Sequence, residues 1–115
     1  MDVIAEHRMV ATFPDSGPLA VCLRVGRPEP HPNGYACEVQ AEGLPGWQGP
    51  KKIFGVGSWQ ALLLGLRYLK IMLDYEVSRG AVFHWEDGEH VLRVEEIFGF
   101  YNWEKDRPPS CAPEV

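Results

Sequence analysis

Residues 55–79, GVGSWQALLLGLRYLKIMLDYEVSR, decide the fold of this chain. The stretch contains no proline, and its apolar residues recur at the spacing that is typical of an amphipathic helix. Ser58 is placed as the N-cap, Val56 and Leu62 occupy the hydrophobic-staple positions, and Gly80 suits a left-handed C-cap. We therefore expect one helix from Ser58 to the end of this stretch, about 30 Å long.

The apolar surface of this helix is wider than one contact face. At about 100° per residue, one stripe consists of leucines and is expected to pack on a sheet, and a second stripe adjoins it. The first stripe is Leu62, Leu66, Leu69 and Leu73, and the second is Leu64, Tyr68, Ile71, Met72 and Tyr75. An apolar patch of this size is unusual on a monomer. We expect either the aromatic run of residues 97–103 or a second copy of the chain to cover it, and the possible dimer face is Leu64, Tyr68, Ile71 and Tyr75.

The segments on either side of the helix predict an antiparallel sheet. Strand patterns lie at residues 2–13, 19–25, 35–41 and 51–56, and Pro14 to Pro18 reads as a turn. The loop of residues 26–34 is expected to be irregular because its prolines cannot donate to a ladder. After the helix, Asp87-Gly88 lies between the apolar runs 81–85 and 90–94 and favours a hairpin, although a short helical turn over residues 93–98 is an alternative.

Together these patterns predict the α+β class in a single domain over residues 1–106. We expect an antiparallel sheet of about four to six strands with one long helix, Ser58–Arg79, packed across one face. Residues 107–115 are proline-rich and are expected to form a flexible tail.

Composition and charge exclude some classes of partner. The chain has 115 residues and a net charge of −5, which argues against a nucleic-acid partner because phosphate binding needs a basic surface. No apolar stretch is long enough for a membrane partner to be expected, and the N-terminus lacks the pattern of a secretory signal. Three cysteines favour a reducing, cytoplasmic location. Strand parity places Cys22 outward and Cys37 inward, so the two cannot form a disulfide across adjacent strands. Cys111 lies in the proline-rich tail, and we expect all three cysteines to be free thiols.

The residues that could carry catalysis or hold a metal form no recognisable site. With a tight Asp87-Gly88 turn, His84 opposes Val91 and Trp85 opposes His90, so the two imidazoles point to opposite faces; a three-residue loop with a bulge would instead place His84 and His90 opposite each other. Two such ligands would in any case fall short of the three or four that zinc needs. We therefore expect no catalytic residue, no cofactor and no metal.

The acidic C-terminal third predicts a surface for a protein partner. Residues 81–106 contain seven acids and two bases, and the resulting charge of −5 equals that of the whole chain. Acids of this kind steer a basic partner, and tryptophan and tyrosine anchor interfaces, although Trp47, Trp85 and Trp103 could each cap a core edge instead. The candidate partner-binding residues are Trp85, Glu86, Asp87, Glu89, Glu95, Glu96, Tyr101 and Trp103.

Residues 53–64, IFGVGSWQALLL, resemble a motif of small bacterial proteins of unknown function. That group has several strands, then Gly-Val-x-Ser/Asp-x-Gln-Ala-Leu, then a long helix and a segment with glycine and tryptophan, as in Gly80–Trp85. The likeness extends from Ile53 to Trp85. In size and layout the group is similar to some immunity proteins that bacteria encode beside secreted toxins.

The resemblance and the acidic surface together imply a non-enzymatic binding protein, an immunity protein that neutralises a basic toxin domain. One alternative is a homodimeric scaffold. Another is a ligand-binding protein or enzyme, which would need a pocket between helix and sheet lined by His84 or Tyr68 with a polar partner.

Overall fold

The computed structural model describes residues 1–99. Its sheet has six antiparallel strands, β1 Val3–Phe13, β2 Ser16–Gly26, β3 Glu29–His31, β4 Gly34–Glu42, β5 Lys51–Gly55 and β6 Val82–His84. One long helix, α1 Ser58–Ser78, crosses a face of the sheet, and a short helix, α2 Val94–Ile97, follows β6. The expected α+β architecture is therefore confirmed, while the tail of residues 107–115 lies outside the described residues.

The strand order places β4 and β2 in the middle of the sheet and β5 and β6 outside them. The order runs β3-β4-β2-β1-β6, and β5 pairs with β4. Because α1 follows β5 and precedes β6, it leads the chain from one outer strand to the other.

Period-2 alternation sets which face of each strand is buried, as the sequence predicts. Val21, Leu23 and Val25 of β2 are buried beneath α1, as are Cys37 and Val39 of β4. The expected parity of the cysteines is confirmed, since Cys37 is fully buried and Cys22 is partly exposed on the opposite face. Both are free thiols, and Cys111 lies outside the described residues.

The leucine stripe of α1 faces this buried surface. Leu69 and Leu73 are enclosed, Leu62 and Leu66 are partly buried, and Gly65 lets the helix approach the sheet closely. A Cβ at position 65 would lie 3.0 Å from Val39 Cγ1 and 3.2 Å from Cys37 Sγ, so a larger residue would require these side chains to shift by a few tenths of an ångström.

The ends of α1 correct one prediction and confirm another. The N-cap is Gly57, and Ser58 is already the first helical residue with no capping hydrogen bond. Val56 is 82% exposed, so it makes no hydrophobic staple; instead its N–H donates to Gln60 Oε1 at 2.7 Å. At the other end Gly80 has φ +101°, as the predicted left-handed cap requires.

The proline-rich loop contains a strand that the sequence analysis did not expect. β3 pairs with the start of β4 through Glu29↔Ala36, Pro30↔Tyr35 and His31↔Gly34. Proline is tolerated in an edge strand because its missing N–H can face away from the partner strand. The predicted turn of residues 14–18 is also shorter, since Phe13 already pairs with Ser16.

The loop between β4 and β5 covers part of the second apolar stripe, which the sequence analysis did not foresee. Its Trp47 packs edge-on against Tyr68, with ring centroids 6.3 Å apart. Ile71 and Tyr75 remain 52% and 53% exposed. From the aromatic run, Ile97 and Phe98 pack at the other flank of α1, in a cavity that they share with the leucine stripe, and the run beyond Gly99 lies outside the described residues.

The segment after β6 is a hairpin with one short arm followed by a helical turn. His84 bridges to Val91, as the sequence predicts, and the Trp85 N–H donates to the His90 carbonyl at 2.9 Å. The second arm is not a strand to Val94, because α2 begins there. Neither helix within residues 1–99 is long and apolar enough to cross a membrane.

Candidate functional site

The hairpin tip, residues 85–90, carries the first group of predicted partner-binding residues. Its backbone is fixed by Asp87, whose Oδ1 accepts hydrogen bonds from the N–H groups of Glu89 at 2.9 Å and His90 at 3.2 Å. Asp87 Oδ2 lies 2.7 Å from His90 Nδ1. The hydrogen bond from the Glu89 N–H, followed by those of His90, lowers the pKa of Asp87 to about 2. Asp87 therefore has a structural role within the tip.

The other acids of the hairpin tip are presented to solvent. Glu86 and Glu89 are exposed, and neither side chain takes part in an ion pair among the described residues. A carboxylate without a local partner keeps its charge available for steering another molecule.

Trp85 stands beside these acids and is 44% exposed. The inner side of its ring meets His7 edge-on, with ring centroids 5.7 Å apart. Burial lowers the pKa of His7, while the nearby Glu86 carboxylate acts in the opposite direction. Part of the Trp85 ring therefore contacts His7, and the rest is exposed to solvent.

The remaining predicted residues divide between α2 and the chain beyond it. Glu95 is exposed, whereas Glu96 Oε1 accepts a hydrogen bond from the Arg93 N–H at 3.0 Å and from Arg93 Nε at 3.1 Å. The backbone hydrogen bond from Arg93 is the main cause of the lowered pKa of Glu96. Tyr101 and Trp103 lie outside the described residues.

The possible dimer face is only partly open. Tyr68 and Leu64 are partly buried, and Ile71 and Tyr75 are exposed one helical turn apart. A symmetric contact through this face would therefore rely on Ile71 and Tyr75.

Histidine and cysteine form no shared site in the part of the chain that the structure describes. Within residues 1–99 no three His, Cys, Asp or Glu side chains are grouped as a metal ion would need. Cys22 lies on the face of the sheet opposite α1, beside Glu6 and Arg24, and burial raises the pKa of its thiol. A thiol in this state is a poor nucleophile at neutral pH.

A second candidate site lies between α1 and the β4–β5 loop, and of its residues the sequence analysis named only Tyr68 as a pocket-lining residue. This Glu76 pocket has a volume of about 180 Å³, and its polar and aromatic lining residues are Trp47, Gln48, Lys51, Tyr68 and Glu76. Glu76 is only 7% exposed, and Trp47 Nε1 is enclosed with no hydrogen-bond partner among the residues up to Gly99. The sequence contains a signal for this site, because Glu76 falls within the apolar stripe, three residues after Leu73 and seven after Leu69.

A third concave feature lies between the sheet, α1 and α2. This cavity of about 270 Å³ is lined mainly by apolar side chains, among them Leu66, Leu69, Ile97 and Phe98. His7 borders it, but its Nε2 atom is fully enclosed and therefore does not face the open volume.

Comparison with known proteins places the fold in one family. Neither the curated proteins nor the solved structures gave a match. The model of a domain of unknown function, DUF6968, matches residues 6–94, which contain most of β1, all of β2 to β6, α1 and the hairpin tip, and stop before Glu95. Since the match spans most of the sequence, the chain belongs to the DUF6968 family.

Proposed function

We propose that this chain is a non-enzymatic, cytoplasmic binding protein that docks on a basic partner through the hairpin tip. The observation that carries the proposal is the exposed Trp85 beside the exposed carboxylates of Glu86 and Glu89, which form no ion pair within residues 1–99. An aromatic anchor next to charges of one sign is the composition of an interface hot spot with electrostatic steering. The bonds that Asp87 makes hold this surface in one shape, which reduces the entropy lost on binding.

The class of partner that fits is a basic toxin domain, and the chain would be its immunity protein. A toxin that cleaves nucleic acid must bind phosphates and therefore carries a cationic surface. A tight acidic inhibitor that covers this surface would block substrate without any chemistry of its own. The free thiols of Cys22 and Cys37 support a reducing compartment, where such an inhibitor would protect the cell that makes it.

The test starts from the neighbouring gene, or from a partner captured at low salt from the source organism and identified. The association rate is then compared between the wild type and the double variant Glu86→Lys/Glu89→Lys. We expect the rate to fall about tenfold and to depend less on salt, because the steering charge is reversed. Asp15→Lys, in the exposed β1–β2 turn, is the control that adds positive charge elsewhere. Equal rates for both variants and the wild type would remove the proposal.

A homodimer is the second candidate, favoured by the exposure of Ile71 and Tyr75 at neighbouring turns of α1. A two-fold axis across the helix would bring each pair onto its copy. Analytical ultracentrifugation of the wild type and of Ile71→Glu/Tyr75→Glu is the test, with Gln60→Glu as a control on the polar side of the helix. A wild type that stays monomeric at high concentration would rule the homodimer out.

A further inference from the structure

Glu76 occupies a position that a carboxylate avoids unless something pairs with it. It is 7% exposed, yet its side chain makes no hydrogen bond and no ion pair within residues 1–99. A carboxylate on so largely buried a side chain is stabilised when a cationic group pairs with it. Glu76 also lies near the C-terminus of α1, where the helix dipole repels negative charge, and the last turn contains no basic residue.

The surroundings of this carboxylate suit a planar cation. Glu76 is largely buried, but its carboxylate oxygens are not fully enclosed. Because Glu76 lines the Glu76 pocket, the carboxylate opens into that pocket. Trp47 and Tyr68 line the same pocket with their rings in edge contact. Aromatic faces beside a carboxylate attract an ammonium or guanidinium group through cation–π and charge-assisted hydrogen bonds.

We propose that the Glu76 pocket is a binding site for a guanidinium group, with Glu76 as its counter-ion and Trp47 and Tyr68 as its aromatic walls. A guanidinium is favoured over an ammonium because it is planar, weakly hydrated and able to bond both carboxylate oxygens at once. The pocket volume of about 180 Å³ is large enough for one such group with its carbon stem. The site shares no residue with the hairpin tip, so the two proposals stand or fall separately.

Lys51 is the competing partner within the chain. It lines the pocket, but its exposed ammonium is not in an ion pair with Glu76 in the structure. If Lys51 neutralised Glu76 in solution, removing either residue would destabilise the protein. If the pocket is built for a ligand, Glu76→Gln is expected to leave the melting temperature unchanged or to raise it, because an unpaired buried charge is lost.

The binding experiment is an NMR titration of the full chain with methylguanidinium chloride, with sodium chloride added to the reference at equal ionic strength. The readout is the indole N–H resonance of Trp47, which is assigned with Trp47→Phe. We expect a saturable shift and a dissociation constant that rises about tenfold or more in Glu76→Gln. Glu95→Gln, which neutralises an exposed carboxylate, is the matched control and is expected to bind like the wild type. Lys51→Met is expected to bind more tightly, because a competing positive charge is removed.

Two further ligands test whether the pocket prefers a guanidinium to an ammonium group and whether that guanidinium belongs to a protein. Methylammonium is expected to bind more weakly than methylguanidinium. An acetyl-Gly-Arg-Gly-amide peptide that binds at least as tightly would identify an arginine side chain of a protein as the source, and exclusion of the peptide would identify a free guanidinium compound. A Trp47 resonance that does not respond, an unchanged dissociation constant in Glu76→Gln, or a lower melting temperature of that variant would each overturn the proposal.

Discussion

Gly55 and Ala61 are in direct backbone contact where β5 passes into α1. A Cβ placed on Gly55 would lie 2.4 Å from the Ala61 nitrogen, a distance that no real contact allows. The contact is with backbone and not with the end of a flexible side chain, so the first turn of the helix would have to move. The start of α1 is therefore located by the absence of a side chain at position 55.

This contact predicts opposite outcomes for two glycines in the same segment. Gly55→Ala is expected to lower the free energy of unfolding by about 2 kcal/mol or more, because it forces the helix away from the sheet. Gly57→Ser is expected to be neutral or to stabilise by a few tenths of a kcal/mol, since position 57 is the extended N-cap and has open space around it. Urea unfolding of both variants checks this, and a Gly55→Ala protein as stable as the wild type would contradict it.

The leucine stripe predicts a second matched pair. Leu73 is fully buried and Leu63 is 47% exposed on the same helix. Leu73→Ala is expected to cost about 2–5 kcal/mol because it leaves a cavity, whereas Leu63→Ala should cost well under half of that. Chemical denaturation measures both. Similar losses would mean that the packing of α1 on the sheet differs from the one described.

His7 predicts a loss of stability in mildly acidic solution. Burial lowers its pKa below the ordinary value of 6.5, so the unfolded chain takes up a proton more readily than the folded one. The stability contributed by neutral His7 is then complete above about pH 6.5 and is lost as the pH falls through the lower folded value. The midpoint of urea unfolding should drop between about pH 7.5 and about pH 5.5, and His7→Phe should reduce the drop. Parallel slopes for the two proteins would disprove this role.

Asp87 predicts a separate transition at lower pH. Its folded pKa is about 2 against an ordinary value of 3.8, so the stability that its hydrogen bonds add is present above about 3.8 and lost as the pH falls through about 2. The amide resonances of Glu89 and His90 are expected to titrate with a midpoint near that lower value. In Asp87→Asn the pH dependence of both resonances should disappear. A wild-type midpoint at the ordinary aspartate value would show that the turn is not held in this way.

The sequence is sufficient to predict the parts of the fold that depend on local pattern. Alternation at Val21, Leu23 and Val25 gives the correct buried face of β2, and Gly80 marks the end of α1. The opposition of His84 and Val91 is the one expected for a tight Asp87-Gly88 turn, the shorter of the two loops that the sequence allowed. In each case the physical cause lies within a few residues of its effect.

The errors arise where distant segments decide the outcome. β3 exists because the residues around Pro30 find a partner in β4, and no local signal outweighs the proline. Ser58 has the right side chain for a cap, but the N-cap is Gly57, in a segment where the Gly55 backbone also closely approaches that of Ala61.

The candidate sites differ in the same way. The hairpin tip could be predicted because Trp85 and its acids are neighbours in the chain. The Glu76 pocket could not be assembled from the sequence, because its Trp47 comes from a loop whose packing on Tyr68 depends on the whole fold. Only the charge of Glu76 within an apolar stripe hinted at it.

The path of α1 from β5 to β6 affects how the molecule unfolds. Each of these outer strands has a single strand neighbour in the sheet, and both are joined covalently to the same helix. Loss of pairing in one outer strand would therefore disturb α1, which is also joined to the other outer strand. Amide exchange in both outer strands should accordingly follow one global opening event and not two independent local ones.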